Sequence, residues 1–488
     1  MLVISRQDRE RLGLAQVLEA CRCYSPQGRR LKAAGHYFGP RDRPELEAEL
    51  SAIEALKDQL GHHQAQVLEV QSLLGHLRDL RGTMESLRKG RTLALTELFE
   101  IKEAARLIHK LAGFKTLIKR AGVHLLPMPQ VQSLLDPTGQ GRSGFSLYDD
   151  YSARLAGLRR ERAQLEREME DQGHNKEVLE ARRRELIAGE REEEALVRQD
   201  LSQKLSPHAK ALADNLEAAG RLDFRLAKAD LALAWGASRP TILDEGQTII
   251  LEAFFHPQIQ AHIRARGGAY ERQTITLEAG TTVLSGPNMG GKSVSLKAMT
   301  LALLLIHMGY FPPAAFAASP LFDFVSYSSD HFDTTRKGLS SFASEMVRLR
   351  DDLARSKEQR GLIVIDEPCR GTNPREASAL IGALVRTYAK KQGAFILATH
   401  YPTPSGPGIR HIRIKGLMEE ALQAGMASDK KDLSDEEAIR RIESLMDYSL
   451  EAVEGGKSTQ EGAVRIAAWL GMDQELLALL EEENLWPT

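Results

Sequence analysis

The sequence predicts a mixed protein: a helical first half with a short coiled-coil hairpin, then an α/β domain on a parallel sheet, then a small helical tail. Three observations predict it. Residues 9 to about 135 place apolar side chains at three- and four-residue steps with charges between, as in "ELEAELSAIEALKDQL" and "TELFEIKEAARLIHKLAG", the period of amphipathic helices. From Tyr151 the chain becomes almost wholly Arg, Glu and Leu. Beyond Pro240 it breaks into short β-like runs, "TIILEAFF", "TITL", "TTVLSG", "GLIVID" and "AFILATH". Helical segments separate the later runs, and that alternation argues for a parallel sheet flanked by helices.

In order, residues 1–150 read as an N-terminal helical core, closed by the Gly/Pro/Ser-rich stretch "LLDPTGQGRSGFS". Residues 151–236 read as the hairpin and the helices after it. Leu155, Leu158, Leu165 and Met169 fall at seam spacing, and "DQGHN" (Asp171 to Asn175) is the expected turn. Acids and bases nearly balance there, which favours a solvated antiparallel coiled coil over a basic nucleic-acid arm. Residues 237–416 form the α/β domain. Residues 417–488 read as a charged linker followed by a helix-turn-helix-like tail, "EGAVRIAAWLGMDQELLALLEEE".

Bulk properties narrow the class. At 488 residues the chain has room for about three domains, and a formal net charge of −2 gives no global basic excess for holding nucleic acid. Aromatics at 6% suit a helix-rich chain better than a β-sandwich. Cys21 and Cys23 form a lone C-x-C without a second pair, so no zinc site is expected and a reducing cytoplasm fits. The N-terminus becomes charged within six residues and no apolar run reaches the ~18 residues of a membrane span. A soluble cytoplasmic protein with no membrane partner is the expectation.

The chemistry concentrates in two places. "GPNMGGKS" (Gly286, Pro287, Asn288, Met289, Gly290, Gly291, Lys292, Ser293) satisfies G-x-x-x-x-G-K-[ST] between a strand and a helix. Its glycines let backbone N–H groups face phosphate oxygens; Lys292 would reach the β/γ-phosphates and Ser293 would hold Mg²⁺. "EGGKST" (Glu454 to Thr459) resembles it but has Glu451 where the first glycine belongs and no strand before it, so it reads as a loop. In "GLIVIDEP", four apolar residues make a buried strand; Asp366 at its end suits the Mg²⁺ shell and Glu367 suits activation of a water. "FILATH" ends in His400, beside the same site, as a γ-phosphate sensor.

These motifs, with "FFHPQI" upstream, "SSFASEMVRL" (Ser340 to Leu349), "DEPCRGTNPREA" and "ATHY", occur in the order and spacing of the MutS family of ABC-type ATPases, which the chain resembles across the α/β region. Weaker similarity extends through "LGLAQVLEACRCYSPQGRRLKA" and "LSPHAKALADNLEAAGRLDFRLAKADLALAW", the latter like the family's lever helices. The resemblance implies ATP and Mg²⁺ bound by Lys292, Ser293 and Asp366, hydrolysis by Glu367 and His400, and a homodimer with composite sites in which Ser340 contacts the partner's γ-phosphate. It places Tyr270 where an aromatic often stacks on adenine, and gives Cys369 no role.

Two parts depart from the family. No Phe-x-Glu motif for mismatch reading occurs, and the hairpin leaves room for little more than two helices where the family carries a long clamp. Arg182, Arg183 and Arg184 could touch phosphate, but neighbouring glutamates would offset much of that attraction. Two outputs follow. One is a DNA-associated MutS homologue acting on mismatched or branched duplexes. The other, placed ahead of it on the missing parts, resembles the ATPase component of reactivating factors for cobalamin-dependent lysine or ornithine aminomutases, with ATP-driven closure remodelling a protein client.

Overall fold

The computed structural model describes residues 4–139, 147–171, 176–244, 246, 248–287, 291–329, 341–369, 372–417, 445–453, 472–473, 475–476 and 479. Helices come first: α1 (Arg6–Arg11), α2 (Leu14–Ala20), α3 (Pro26–Ala34), α4 (Arg43–His62), α5 (Gln64–Gly75), α6 (Arg81–Arg88), α7 (Leu95–Ala112), α8 (Lys115–Arg120), α9 (Pro129–Leu135), α10 (Ala153–Asp171), α11 (Lys176–Leu205) and α12 (Ala209–Trp235). Strands and helices then mix: β1 (Thr241–Leu243), β2 (Ile249–Phe254), α13 (Pro257–Ala265), β3 (Gln273–Leu277), β4 (Gly280–Ser285), α14 (Lys292–His307), β5 (Phe316–Pro320), β6 (Phe324–Ser329), α15 (Ser341–Arg355), β7 (Gly361–Asp366), α16 (Pro374–Tyr388), β8 (Ala394–Ala398), β9 (Ile409–Leu417) and β10 (Met446–Val453). A helical region followed by an α/β region is the predicted order. Among the described residues no helix is long and apolar enough to cross a membrane.

The chain divides into two compact units, one from 22–35 and 52–229, the other from 1–21, 36–51 and 230–488. The first is helical. Helices α10 and α11 pack on each other with Leu155, Leu165, Leu186 and Val197 buried and Leu158 and Met169 half-buried. Charged rungs flank that seam: Arg159 pairs with Glu194 at 2.8 Å, Arg162 with Glu190 at 2.6 Å and Arg183 with Glu166 at 2.9 Å. The partner numbers fall on one helix as they rise on the other, so the helices run antiparallel. Arg182 meets Glu161 and Glu185, and Arg184 turns back to the Glu180 carbonyl. The glutamates thus engage Arg182 and Arg183 directly. Of the expected turn, residues 172–175 lie outside the described residues.

The start of α3 is fixed by one buried carboxylate. Asp223 accepts the backbone N–H groups of Tyr24 (3.1 Å) and Ser25 (2.7 Å) and the Ser25 hydroxyl (2.6 Å), while Ser25 Oγ caps Gly28 N at 2.9 Å. A Cβ at Gly28 would lie 2.3 Å from Asp223 Oδ2, so only glycine allows this approach.

The second unit holds two sheets. The smaller has strand order β1-β5-β2-β3; the larger has order β10-β9-β4-β8-β7-β6, parallel throughout except for β10, which pairs antiparallel with β9. Strands β7 and β8 are buried along their whole length, as strands covered on both faces must be. Phe395 stacks on Tyr388 of α16 at 4.1 Å, within a core that includes Ile363, Ile365 and Leu397. Helix α14 is buried nearly all round, from Leu296 to His307; a helix without a polar face belongs in a core.

Two readings of the segment after 416 are corrected by one element: Met446–Val453 is a sheet strand, not linker, so a strand does directly precede "EGGKST", whose first-glycine position is still Glu451. Its backbone pairs with β9, and its sequence, M-D-Y-S-L-E-A-V, alternates apolar and polar residues as a half-buried strand does. Most of the tail, including "EGGKST", lies outside the described residues.

Candidate nucleotide site

The site forms where three parallel strands end level. Leu284 of β4 pairs with Ala398 of β8, and Ala398 with Asp366 of β7. The loop after β4, Glu367 after β7 and Thr399–His400 after β8 therefore leave the sheet at one edge, the carboxyl ends where open α/β sheets hold ligands. Glu367 N donates to Ala398 O at 2.9 Å and Thr399 N to Leu284 O at 3.1 Å, stitching the three exits together.

The loop's geometry requires its glycines. Gly286 has φ +143°, and a Cβ there would meet Ile414 at 3.2 Å. Gly291, the N-cap of α14, has φ +81°, and its Cβ would come within 3.1 Å of the Tyr448 ring. Behind it, the first turn of α14 offers backbone N–H groups that no helical carbonyl can satisfy, at the positive end of the helix dipole. Lys292 is buried. Its Nζ donates to Gly286 O at 2.8 Å and Pro287 O at 3.1 Å, and lies 3.6 Å from Glu367 Oε1. The lysine thus bends back over its own loop, toward the carboxylate at the end of β7. Ser293 follows in the same turn, half-buried.

Asp366 is buried, and among the described residues its Oδ1 has no hydrogen-bond partner. A buried carboxylate oxygen without a donor needs an explanation, and a hard divalent cation supplies one. Glu367 and Cys369 both have positive φ, +48° and +65°. Non-glycine residues rarely adopt that region, and two within one turn mark a strained segment held by its surroundings. One restraint is the Glu345 carboxylate of α15, which accepts Cys369 N at 3.2 and 3.3 Å. Burial, and then the nearby Glu345 charge, push the Cys369 thiol up to about 11.

His400 is half-buried at the strand edge, its ring 4.2 Å from that of Tyr401. Tyr270 is placed with its hydroxyl accepting the backbone N–H of His256, at 3.2 Å. Asn288, Met289, Gly290 and Ser340 lie outside the described residues. The sequence reading missed Glu345 and Tyr448. Tyr448 is anchored by Glu271, which accepts its N–H at 3.0 Å, and by Gln273, whose amide donates to its carbonyl at 2.8 Å. Its only sequence signal would have been a strand pattern in 446–453.

A strand, a glycine loop capping a buried helix, and a paired Asp-Glu at the end of β7, one strand removed in the sheet, define a P-loop ATPase. Residues 282–415 match the sequence profile of MutS domain V, which is an ATPase domain. A protein named endonuclease MutS2 from Thermomicrobium roseum is 35% identical over 238 residues, covering 46% of this chain and 30% of the relative. One of the same name from Leuconostoc mesenteroides is 27% identical over 302 residues, 60% of this chain and 36% of the relative. One from Thermus thermophilus is 34% identical over 211 residues, 43% and 27%. The matches thus span about a third of the length of these relatives.

Proposed function

We propose that the chain is an ATP-driven dimeric switch that acts on DNA. Lys292 would meet the β- and γ-phosphates, and Ser293 and Asp366 would hold Mg²⁺, which would neutralise phosphate charge. Glu367 orients the attacking water and takes its proton, with His400 beside the γ-phosphate. By resemblance, Ser340 serves the partner's site in a homodimer, Tyr270 contributes toward the base, and the setting is cytoplasmic.

The observation that carries the DNA reading is a stretch of one charge sign. Residues 104–135 contain Arg106, Lys110, Lys115, Lys119 and Arg120 and no Asp or Glu. All five are exposed, on α7 and α8; Arg106 is engaged by Glu103 at 2.6 Å, so the contacts in this reading are Lys110, Lys115, Lys119 and Arg120. Such a segment offers phosphate contacts that a net charge of −2 conceals. The relatives' name points the same way, whereas nothing comparable supports an aminomutase or other protein client, so the order of the two readings is reversed. Arg182 and Arg183 of the hairpin, engaged by glutamates, are not the contact surface in this reading.

The test is fluorescence anisotropy with labelled homoduplex, mismatched and four-way-junction DNA at several salt concentrations, with and without a non-hydrolysable ATP analogue. Binding that weakens steeply with salt, and that Lys110→Glu with Lys119→Glu removes, is expected. Absence of binding at micromolar protein and low salt, with ATP still hydrolysed, would overturn the DNA reading.

A further inference from the structure

Helix α15 carries a polar row at i, i+3 and i+7, and each member reaches a different element. Glu345 accepts the backbone N–H of Cys369. Arg348 pairs with the buried Asp8 of α1 at 3.0 Å. Asp352 accepts the Ser326 hydroxyl of β6 at 2.7 Å, with both groups buried. Spacing of three and four residues puts all three on one helix face, so α15 is fixed at two points and holds the turn after β7 with the third.

That turn contains Glu367. Its backbone is restrained on one side by the Glu367 N to Ala398 O bond and on the other by the Cys369 N to Glu345 bond. Between them stand the two positive-φ residues, Glu367 and Cys369. A strained backbone of this kind relaxes unless the surrounding structure over-determines it. Relaxation here would rotate the Cα–Cβ vector of Glu367 and move its carboxylate.

We propose that Glu345 is a positioning residue for ATP hydrolysis: by accepting Cys369 N–H it holds the left-handed turn that aims Glu367. The proposal rests on the reading of Glu367 as the residue that activates water. What the turn requires is an acceptor at the correct reach, not a negative charge. Through Arg348 and Asp352, the position of α1 and β6 is also felt at that turn.

The reach and the charge are separated by two substitutions that keep a polar side chain of similar size. Glu345→Gln keeps a carbonyl acceptor at the same distance and loses the charge. Glu345→Asp keeps the charge and loses one methylene of reach. Steady-state ATPase of the full chain would be measured for both, alongside Glu367→Gln, with binding of a fluorescent ATP analogue to check the nucleotide pocket. The expected result is kcat within about threefold of wild type for the Gln variant. For the Asp variant kcat should fall roughly tenfold to a hundredfold, the scale on which an ångström of misplacement acts, with KM and analogue affinity nearly unchanged. Wild-type kcat in the Asp variant, or a Gln variant as slow as or slower than the Asp one, would overturn the proposal. Unimpaired hydrolysis by Glu367→Gln would instead remove the reading of Glu367 on which it rests.

Discussion

Lys292 Nζ lies 3.6 Å from Glu367 Oε1, and the two side chains are only 3% and 9% exposed. Two parts of the proposed site therefore meet directly, one from the helix after β4 and one from the turn after β7. The pair is asymmetric, because Lys292 also donates to two carbonyls of its own loop.

Glu367→Gln leaves the ammonium with those carbonyls and an amide oxygen. It should fold with a Tm close to wild type and trap ATP, with hydrolysis down at least a hundredfold. Lys292→Met leaves a buried carboxylate without its cation, which typically costs about 3 kcal/mol or more. It should lose ATP binding and also melt earlier. Equal melting temperatures for the two variants would show that the pair is not energetically asymmetric.

Gly291→Ala should weaken both fold and site. The residue would have to adopt φ +81° and place its Cβ 3.1 Å from the Tyr448 ring. A left-handed L-residue alone costs about 1–2 kcal/mol. Adding Tyr448→Ala removes the clash but not the conformational cost, so the double variant should recover part of the lost Tm. No recovery would mean that the ring shifts freely.

Acid should destabilise the second unit through His307. The ring is fully buried, and burial pushes its pKa down to about 4. Nδ1 faces Phe38 O at 2.9 Å and Nε2 accepts Phe322 N at 3.4 Å, an arrangement that needs the neutral ring. Below pH 6.5 the unfolded chain binds a proton that the folded one refuses, so this contribution is full above 6.5 and is lost as pH falls toward 4. His307→Gln keeps a donor and an acceptor without the titration. Its urea midpoint should vary less than the wild type's between about pH 7 and 4.5, and parallel curves would assign the acid sensitivity elsewhere.

The hairpin and the α7–α8 surface should separate in DNA affinity. Arg182 and Arg183 already have glutamate partners, so replacing both with Gln should change affinity by less than about twofold and leave the salt slope in place. Replacing Lys110 and Lys119 with Gln should reduce that slope by nearly one for each phosphate no longer neutralised. The reverse pattern would move the DNA-binding surface to the hairpin.

What the sequence determined by itself was the local and the contiguous. Periodicity gave the helical half, because burial of one face leaves a repeat in the chain, and short apolar or β-branched runs gave five of the strands, some of them buried on both faces. Spacing gave Gly286, Gly291, Lys292, Asp366 and Glu367, because a phosphate cradle is one loop and its carboxylates end one strand. Tertiary structure decided the relations between distant segments. Only the level ends of β4, β8 and β7 bring Lys292 to Glu367. Only α15 brings Glu345 under Cys369, and only the pairing of β10 with β9 lays Tyr448 on the loop. The grouping of residues 1–21 and 36–51 with 230–488 is of the same kind. Such relations join residues tens to hundreds of positions apart and leave no period in the chain.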